Sequence, residues 1–174
     1  MDNTLERVYG ELGRYKPVSW EQIPDLGLYM DQVITFITRA YEPLYGESTK
    51  GYLSAPMINN YVKAGLVRRP DKKHYTRNHL AYFIVVTILK RCYSMSQIDT
   101  MIQIQTHMYN STIHTAYDTF INRFEDSLNA VFCADDSEHQ PFLPTRDELV
   151  LMDHVIQCIV FKIHTEYTLA KRQD

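Results

Sequence analysis

The sequence predicts an all-α protein, and three observations carry that reading. Apolar residues recur at three- and four-residue intervals through most of its 174 positions. Serine or threonine stands just before several of these stretches, and glycine or proline just after them. Nothing alternates apolar with polar residues as a half-buried strand does, apart from a short basic hairpin expected around Pro70.

Taken in order, residues 1–27 mix Gly10, Gly13, Pro17, Trp20 and Pro24 and read as an irregular arm. Met30, Val33, Ile34, Ile37, Tyr41 and Leu44 then form a helical stripe, which Pro43 and Gly46 end. After the loop GESTKGY, Ser54 is the expected N-cap of a helix over Ala55–Ala64, with Pro56 in its first turn and Gly65 at its stop. Its inward residues are Ile58, Tyr61 and Val62; Met57, Asn59, Asn60 and Lys63 face outward. Leu66 to Tyr75 is too short and too charged for a helix, and Pro70-Asp71 makes a turn between two basic arms. Thr76 caps a helix running to about Tyr93, with Leu80, Phe83, Ile84, Thr87, Ile88 and Cys92 as its core face. Ser94 or Ser96 caps the next, which carries Ile98, Met101, Ile102 and Met108. Tyr117, Phe120, Ile121, Phe124, Leu128 and Phe132 share a stripe over His114–Phe132. The acidic stretch ADDSEHQPFLP reads as a loop, and Thr145 with Glu148 forms a capping box for a last helix reaching about Lys171. There Leu149, Met152, Ile156, Ile159 and Ile163 follow heptad spacing, widened by Val155 and Val160.

Composition narrows the function classes. With 45% hydrophobic and 22% charged residues the chain can bury an ordinary core. No apolar run approaches the roughly 20 residues that span a bilayer, and MDNTLERVYG lacks the apolar centre of a secretory leader. Cys92, Cys133 and Cys158 are widely spaced, which fits a reducing cytoplasm and argues against a disulfide framework or structural zinc.

The charge is segregated. Nine cations and one carboxylate, Asp71, fall between Lys50 and Arg91, a local net of +8 in a chain of −3, so the remainder carries −11. Such a concentration predicts an anion-binding surface, and nucleic acid is the commonest anion of that size.

Order and residue type in this segment resemble the winged helix-turn-helix of MerR-type transcription regulators. Tyr61-Val-Lys-Ala-Gly65-Leu66 matches the end of that family's recognition helix. Lys73-His74-Tyr75-Thr76 matches the exit of its wing, and Tyr93-Ser94-Met95-Ser96-Gln97-Ile98 the start of its fourth helix. The resemblance covers roughly Leu53 to Ile102. The wording LYMDQV, MINNYVK and the basic run before Tyr75 is also similar to an uncharacterised bacterial family of that fold, which brings no activity with it. Departures are visible: Asn59 and Asn60 replace the family's Arg and first Tyr, Lys73 replaces the wing's Arg, and residues 46–52 are longer than its tight turn. They leave the fold expectation in place and do not carry over the family's promoter-distortion mechanism. The implied organisation is an arm over 1–27, a winged helix-turn-helix over 28–110, and a helical dimerisation or effector region over 111–174.

The expected function is therefore DNA-binding transcriptional regulation. Asparagine pairs bidentately with adenine in the major groove, and a ten-residue helix fits there. Asn59 and Asn60 lie about 100° apart on a helix, so one of them at most meets bases squarely. Lys63, Arg68, Arg69, Lys72, Lys73 and Arg77 would contact phosphates. Met57, His74 and Tyr75 complete the candidate surface, with His74 read as packing or capping. Tyr61 either donates its hydroxyl to a phosphate, as the resemblance implies, or is a buried aromatic. The expected partners are double-stranded DNA and a second copy of the chain through the helices from His114 onward, with no membrane. An effector pocket lined by Tyr117, Phe120, Phe124, Phe132 and Phe142 competes with a plain core. The alternative function is a helical interaction module whose basic face meets an acidic protein.

No catalytic residue, metal or cofactor is expected. His154 and Cys158 have metal-compatible spacing but no third ligand, and Asp135, Asp136, Glu138 and His139 read as a solvated linker. There is no phosphate-binding glycine loop and no nucleophile triad, so an enzyme is not expected.

Overall fold

Pro43 removes a backbone donor where the first helix would otherwise continue, and the chain tightens there. A computed structural model, which describes residues 10–45, 53–108, 112–132 and 149–171, places helix α1 at Met30–Tyr41 and a 3₁₀ turn at Glu42–Leu44. Val33, Ile37 and Tyr41, four apart, are its buried line. Helix α2 is Ala55–Lys63, with Ser54 extended at the N-cap and Pro56 in the first turn. It ends in a Schellman motif. Gly65 adopts φ 77°, its N–H bonds the Val62 carbonyl at 3.2 Å, and the Leu66 N–H bonds the Tyr61 carbonyl at 3.1 Å. Gly65 serves because an L side chain resists that φ.

Helix α3, Arg77–Leu89, starts at Thr76 and is buried on every side rather than on one face. It ends four residues earlier than its apolar pattern predicted. The Arg91 and Cys92 N–H groups bond back to Ile88 and Leu89 in tight turns, so Cys92, expected in the core, is exposed. Helix α4 is Met95–Gln103, and Ser94 is its cap: the Ser94 N–H bonds Gln97 Oε1 at 2.9 Å, and the Gln97 N–H bonds Ser94 Oγ at 3.4 Å. A π turn at Ile104–Met108 follows. Helix α5 is Ile113–Phe132 and helix α6 is Val150–Lys171.

The chain divides into two compact units, one of residues 18–119 and one joining residues 1–17 to 120–174. In the first, the α3 residues pack with Val33, Ile37, Ile58 and Ile98 in the buried set, and the ends of the unit are clasped. The Tyr117 hydroxyl donates to the Val18 carbonyl at 2.7 Å, and the Trp20 N–H donates to Asp118 Oδ1 at 3.1 Å. The Trp20 ring stacks on His114 at 4.9 Å. The arm expected to be irregular is partly ordered: residues 10–13 are helical, Trp20–Gln22 form a 3₁₀ turn capped by Ser19, and Leu12, Trp20 and Ile23 are buried. Leu28 pairs with Tyr75 in an antiparallel bridge, and Asp71 with His74 in another. These are isolated bridges, and the described residues contain no strand.

In the second unit, Phe120, Ile121, Phe124, Leu128 and Phe132 of α5 and Val155, Ile156, Ile159, Val160 and Ile163 of α6 are buried. Phe120 and Phe124 stack in parallel at 6.3 Å, so the aromatic stripe is core. Asp153 is fully buried and pairs with Arg123. Phe142, the acidic loop and the Thr145–Glu148 capping box lie outside the described residues.

Candidate nucleic-acid interface

The short α2 helix offers a polar face because its three apolar anchors all turn one way. Ile58 and Tyr61 are buried and Val62 half-buried, which leaves Asn59, Asn60 and Lys63 exposed and Met57 half-buried. Beyond the Schellman stop, Leu66 and Val67 dip into the core, and the chain surfaces again as Arg68 and Arg69, both exposed.

The turn that follows is a two-residue hairpin. The His74 N–H bonds the Asp71 carbonyl at 2.7 Å, and the two central residues, Lys72 and Lys73, have φ of 45° and 65°. Positive φ at both positions is the pattern of a type I′ turn, which favours Asn-Gly because a lysine Cβ crowds the backbone there. The left-handed conformation costs roughly 1–2 kcal/mol per non-glycine residue. Both lysines are exposed.

The hairpin is tied down behind its tip. The Leu28 and Tyr75 backbones exchange hydrogen bonds of 2.9 and 2.8 Å. The His74 ring lies 4.6 Å from Tyr29 and against Gly27, where an added Cβ would come within 3.0 Å of the His74 Cβ. Tyr75 is buried and packs 5.6 Å from Phe83.

Three of the expected contact residues are placed otherwise. Tyr61 is enclosed and its hydroxyl makes no hydrogen bond, so it belongs to the core and does not reach a phosphate. Burial, with the nearby Tyr45, pushes that hydroxyl up to about 12, so it stays protonated. Tyr75 is likewise a core side chain. Arg77 is turned inward. Its Nε donates to the Ile23 carbonyl at 3.0 Å, its guanidinium lies 5.7 Å from the Trp20 ring, and it pairs with Glu21 and Asp25 at 3.7 and 3.9 Å. Arg91 is committed in the same way, to the Leu44 carbonyl at 3.0 Å and the Tyr45 ring at 4.2 Å. Lys90 lies 5.7 Å over the Tyr61 ring. Lys50 lies outside the described residues.

Lys63, Arg68, Arg69, Lys72 and Lys73 remain, all exposed and, among the described residues, in no ion pair. Five exposed cations against one carboxylate, Asp71, within eleven positions give this face a positive potential. The sequence reading overlooked Trp20, which anchors Arg77, and His79, which replaces the usual Glu or Gln of the Thr76 capping box. The Thr-x-x-His spacing was the signal for the second.

Elsewhere, His154 and Cys158 are exposed on α6, and no group of three or more His, Cys, Asp or Glu among the described residues is placed to hold a metal. An open groove of about 530 Å³ runs along α1 beside Asp31, Thr35, Phe36 and Arg39. No described helix is long and apolar enough to cross a membrane.

Among known families, a model described as "Domain of unknown function (DUF1836)" matches residues 18–120, more than half of the chain. Its limits coincide with the clasped unit to within one residue. No curated protein and no solved structure matches.

Proposed function

We propose that this chain, which belongs to the DUF1836 family through residues 18–120, is a DNA-binding transcriptional regulator with a MerR-like winged helix-turn-helix. The α2 helix enters the major groove with Asn59 or Asn60 toward the bases. Lys63, Arg68, Arg69, Lys72 and Lys73 meet phosphates, with the 71–74 hairpin as a minimal wing. The observation that carries the reading is the Lys72-Lys73 turn. Two exposed lysines stand side by side at the tip of a hydrogen-bonded turn whose backbone favours Asn-Gly, and their charges there suit a polyanion.

The test is a gel shift on random duplex across a salt series. Affinity should fall steeply with salt, and Lys72→Glu with Lys73→Glu should weaken binding by about a hundredfold at low salt. No binding of the native chain at low salt would overturn the reading. In the same proposal the regulator is cytoplasmic and works as a homodimer through the second unit, where Leu151, Phe161 and Leu169 of α6 stay exposed. Two copies would read two half-sites, and a strict monomer by sedimentation at micromolar concentration removes that part.

A second reading is favoured by the inward placement of Tyr61 and Arg77, which takes two implied phosphate contacts away. In it the same cationic face meets an acidic protein. It predicts capture of an acidic peptide with no duplex binding at low salt.

A further inference from the structure

We propose that the turn from Leu26 to Tyr29 is an uncharged extension of the cationic face, with Leu26 lying on the deoxyribose of a bound duplex and the Tyr29 hydroxyl donating to a phosphate. The occupant rests on the DNA reading above, whereas the place of the turn beside the hairpin does not.

Among the described residues of the 18–119 unit, Leu26 and Tyr29 are the large hydrophobic side chains left exposed, at 71% and 52%. Single exposed apolar residues are ordinary. These two stand three positions apart on a turn fastened at both ends. Upstream, the Ile23 carbonyl accepts from Arg77 Nε at 3.0 Å. Downstream, the Leu28 and Tyr75 backbones exchange their hydrogen bonds. The antiparallel register that pairs Leu28 with Tyr75 sets Tyr29 opposite His74, and the two rings are 4.6 Å apart. Gly27 lies so close to His74 that a Cβ there would meet the His74 Cβ at 3.0 Å. His74 directly follows Lys73, so the exposed Tyr29 ring borders the lysine tip. The turn thus shows apolar surface in a fixed place beside Lys72 and Lys73.

The occupant follows from that alternation of charge and apolar surface. A duplex strand presents anionic phosphates separated by apolar deoxyribose faces, and phosphate oxygens accept from tyrosine as well as from lysine. The nearby carboxylates do not reverse the sign. Asp25 lies 3.9 Å from the Arg77 guanidinium, and Asp71 is outnumbered by Arg68, Arg69, Lys72 and Lys73. An anionic bilayer fits less well, because it rewards deep apolar insertion, and here one leucine stands beside a ring packed on His74.

An uncharged contact shows in affinity and not in salt dependence, which separates it from the lysines. Full-length variants are compared with the native chain by gel shift on random duplex across a salt series. Leu26→Ser should bind about fivefold more weakly at every salt concentration, and Leu26→Met like the native chain. Tyr29→Phe, which keeps the ring on His74, should bind about threefold more weakly. In all three the slope of log affinity against log salt should stay native, because no counterion release is lost, whereas Lys72→Asn with Lys73→Gly lowers it. Urea midpoints should also stay native, since the substituted groups are exposed. If Leu26→Ser and Tyr29→Phe bind like the native chain while the lysine variant binds weakly, this proposal fails and the DNA reading stands. A loss of affinity that tracks a lowered midpoint, or that Leu26→Met does not restore, makes the turn structural and also overturns the contact. Binding to anionic-lipid vesicles that Leu26→Ser abolishes, with duplex affinity unchanged, overturns it in favour of a membrane surface. A native chain that binds no duplex at low salt overturns both this proposal and the reading beneath it.

Discussion

Lys73 and Arg77 stand four residues apart in the same basic segment and carry the same charge, yet they do opposite things. Lys73 is on a strained turn with its ammonium in solvent. Arg77, at the first position of α3, has a side chain 19% exposed that spends its donors on the Ile23 carbonyl and lies close to the Trp20 ring. A planar guanidinium can bond a carbonyl and lie against an aromatic face at once, which a compact ammonium cannot. The comparison divides the +8 segment into cations that build the unit and cations that are left for something else. Arg91, on the Leu44 carbonyl and Tyr45, belongs with the first group; Lys63, Arg68, Arg69 and Lys72 belong with Lys73.

The division can be broken from either side. Removing a builder should cost most: Arg77→Ala loses a charge-assisted hydrogen bond and the packing on Trp20, an expected loss of about 2–3 kcal/mol in a urea unfolding curve. Its DNA affinity per folded molecule should barely change. A variant that is stable but binds poorly would move Arg77 into the outward group. Replacing the turn by the residues its backbone prefers, Lys72→Asn with Lys73→Gly, should raise stability by about 1–2 kcal/mol and weaken duplex binding. The slope of log affinity against log salt should shrink by roughly 1.8, the value for two lost phosphate contacts. Higher stability with unchanged binding would leave the turn without a function.

Smaller effects sharpen the picture behind the face. Burial, outweighing the nearby backbone carbonyls, holds the His79 ring below its ordinary value of 6.5. Above that pH both folded and unfolded chains hold it neutral, and its contribution is complete. As pH falls through 6.5 the unfolded chain takes the proton first, so stability drops, by at most about 1.4 kcal/mol per pH unit, until the folded pKa is passed. The difference between the native chain and His79→Gln in pH-dependent unfolding isolates that loss from the other histidines. Ser94→Ala should cost least, about 1 kcal/mol for one exposed N-cap. It leaves the cationic face untouched, so DNA binding should not follow it.

Legibility followed the range of the interactions. The limits of α2 were readable to one residue because Ser54, Pro56 and Gly65 act on their own neighbours. The stripe from Tyr117 to Phe132 was readable because helical spacing alone turns those rings one way. Cys92 was not: its spacing continued the α3 pattern, but the chain tightened after Leu89 and turned the thiol outward. Nor were Trp20 and Arg77, whose partnership joins positions 57 apart in the chain. Charge counting found the basic segment and could not rank its members, because rank depends on which carbonyls and rings fold into reach.

The amino-acid order by itself determined where α2 starts and stops, which residues are apolar enough to be buried, and that positive charge gathers between Lys50 and Arg91. Those properties rest on capping, periodicity and composition, all satisfied within a few residues. The tertiary structure decided which cations point outward, that Tyr61 is core, and that Arg77 turns onto the Ile23 carbonyl and the Trp20 ring. Each of these is a contact between distant segments, and only the folded chain brings those segments within a few ångströms.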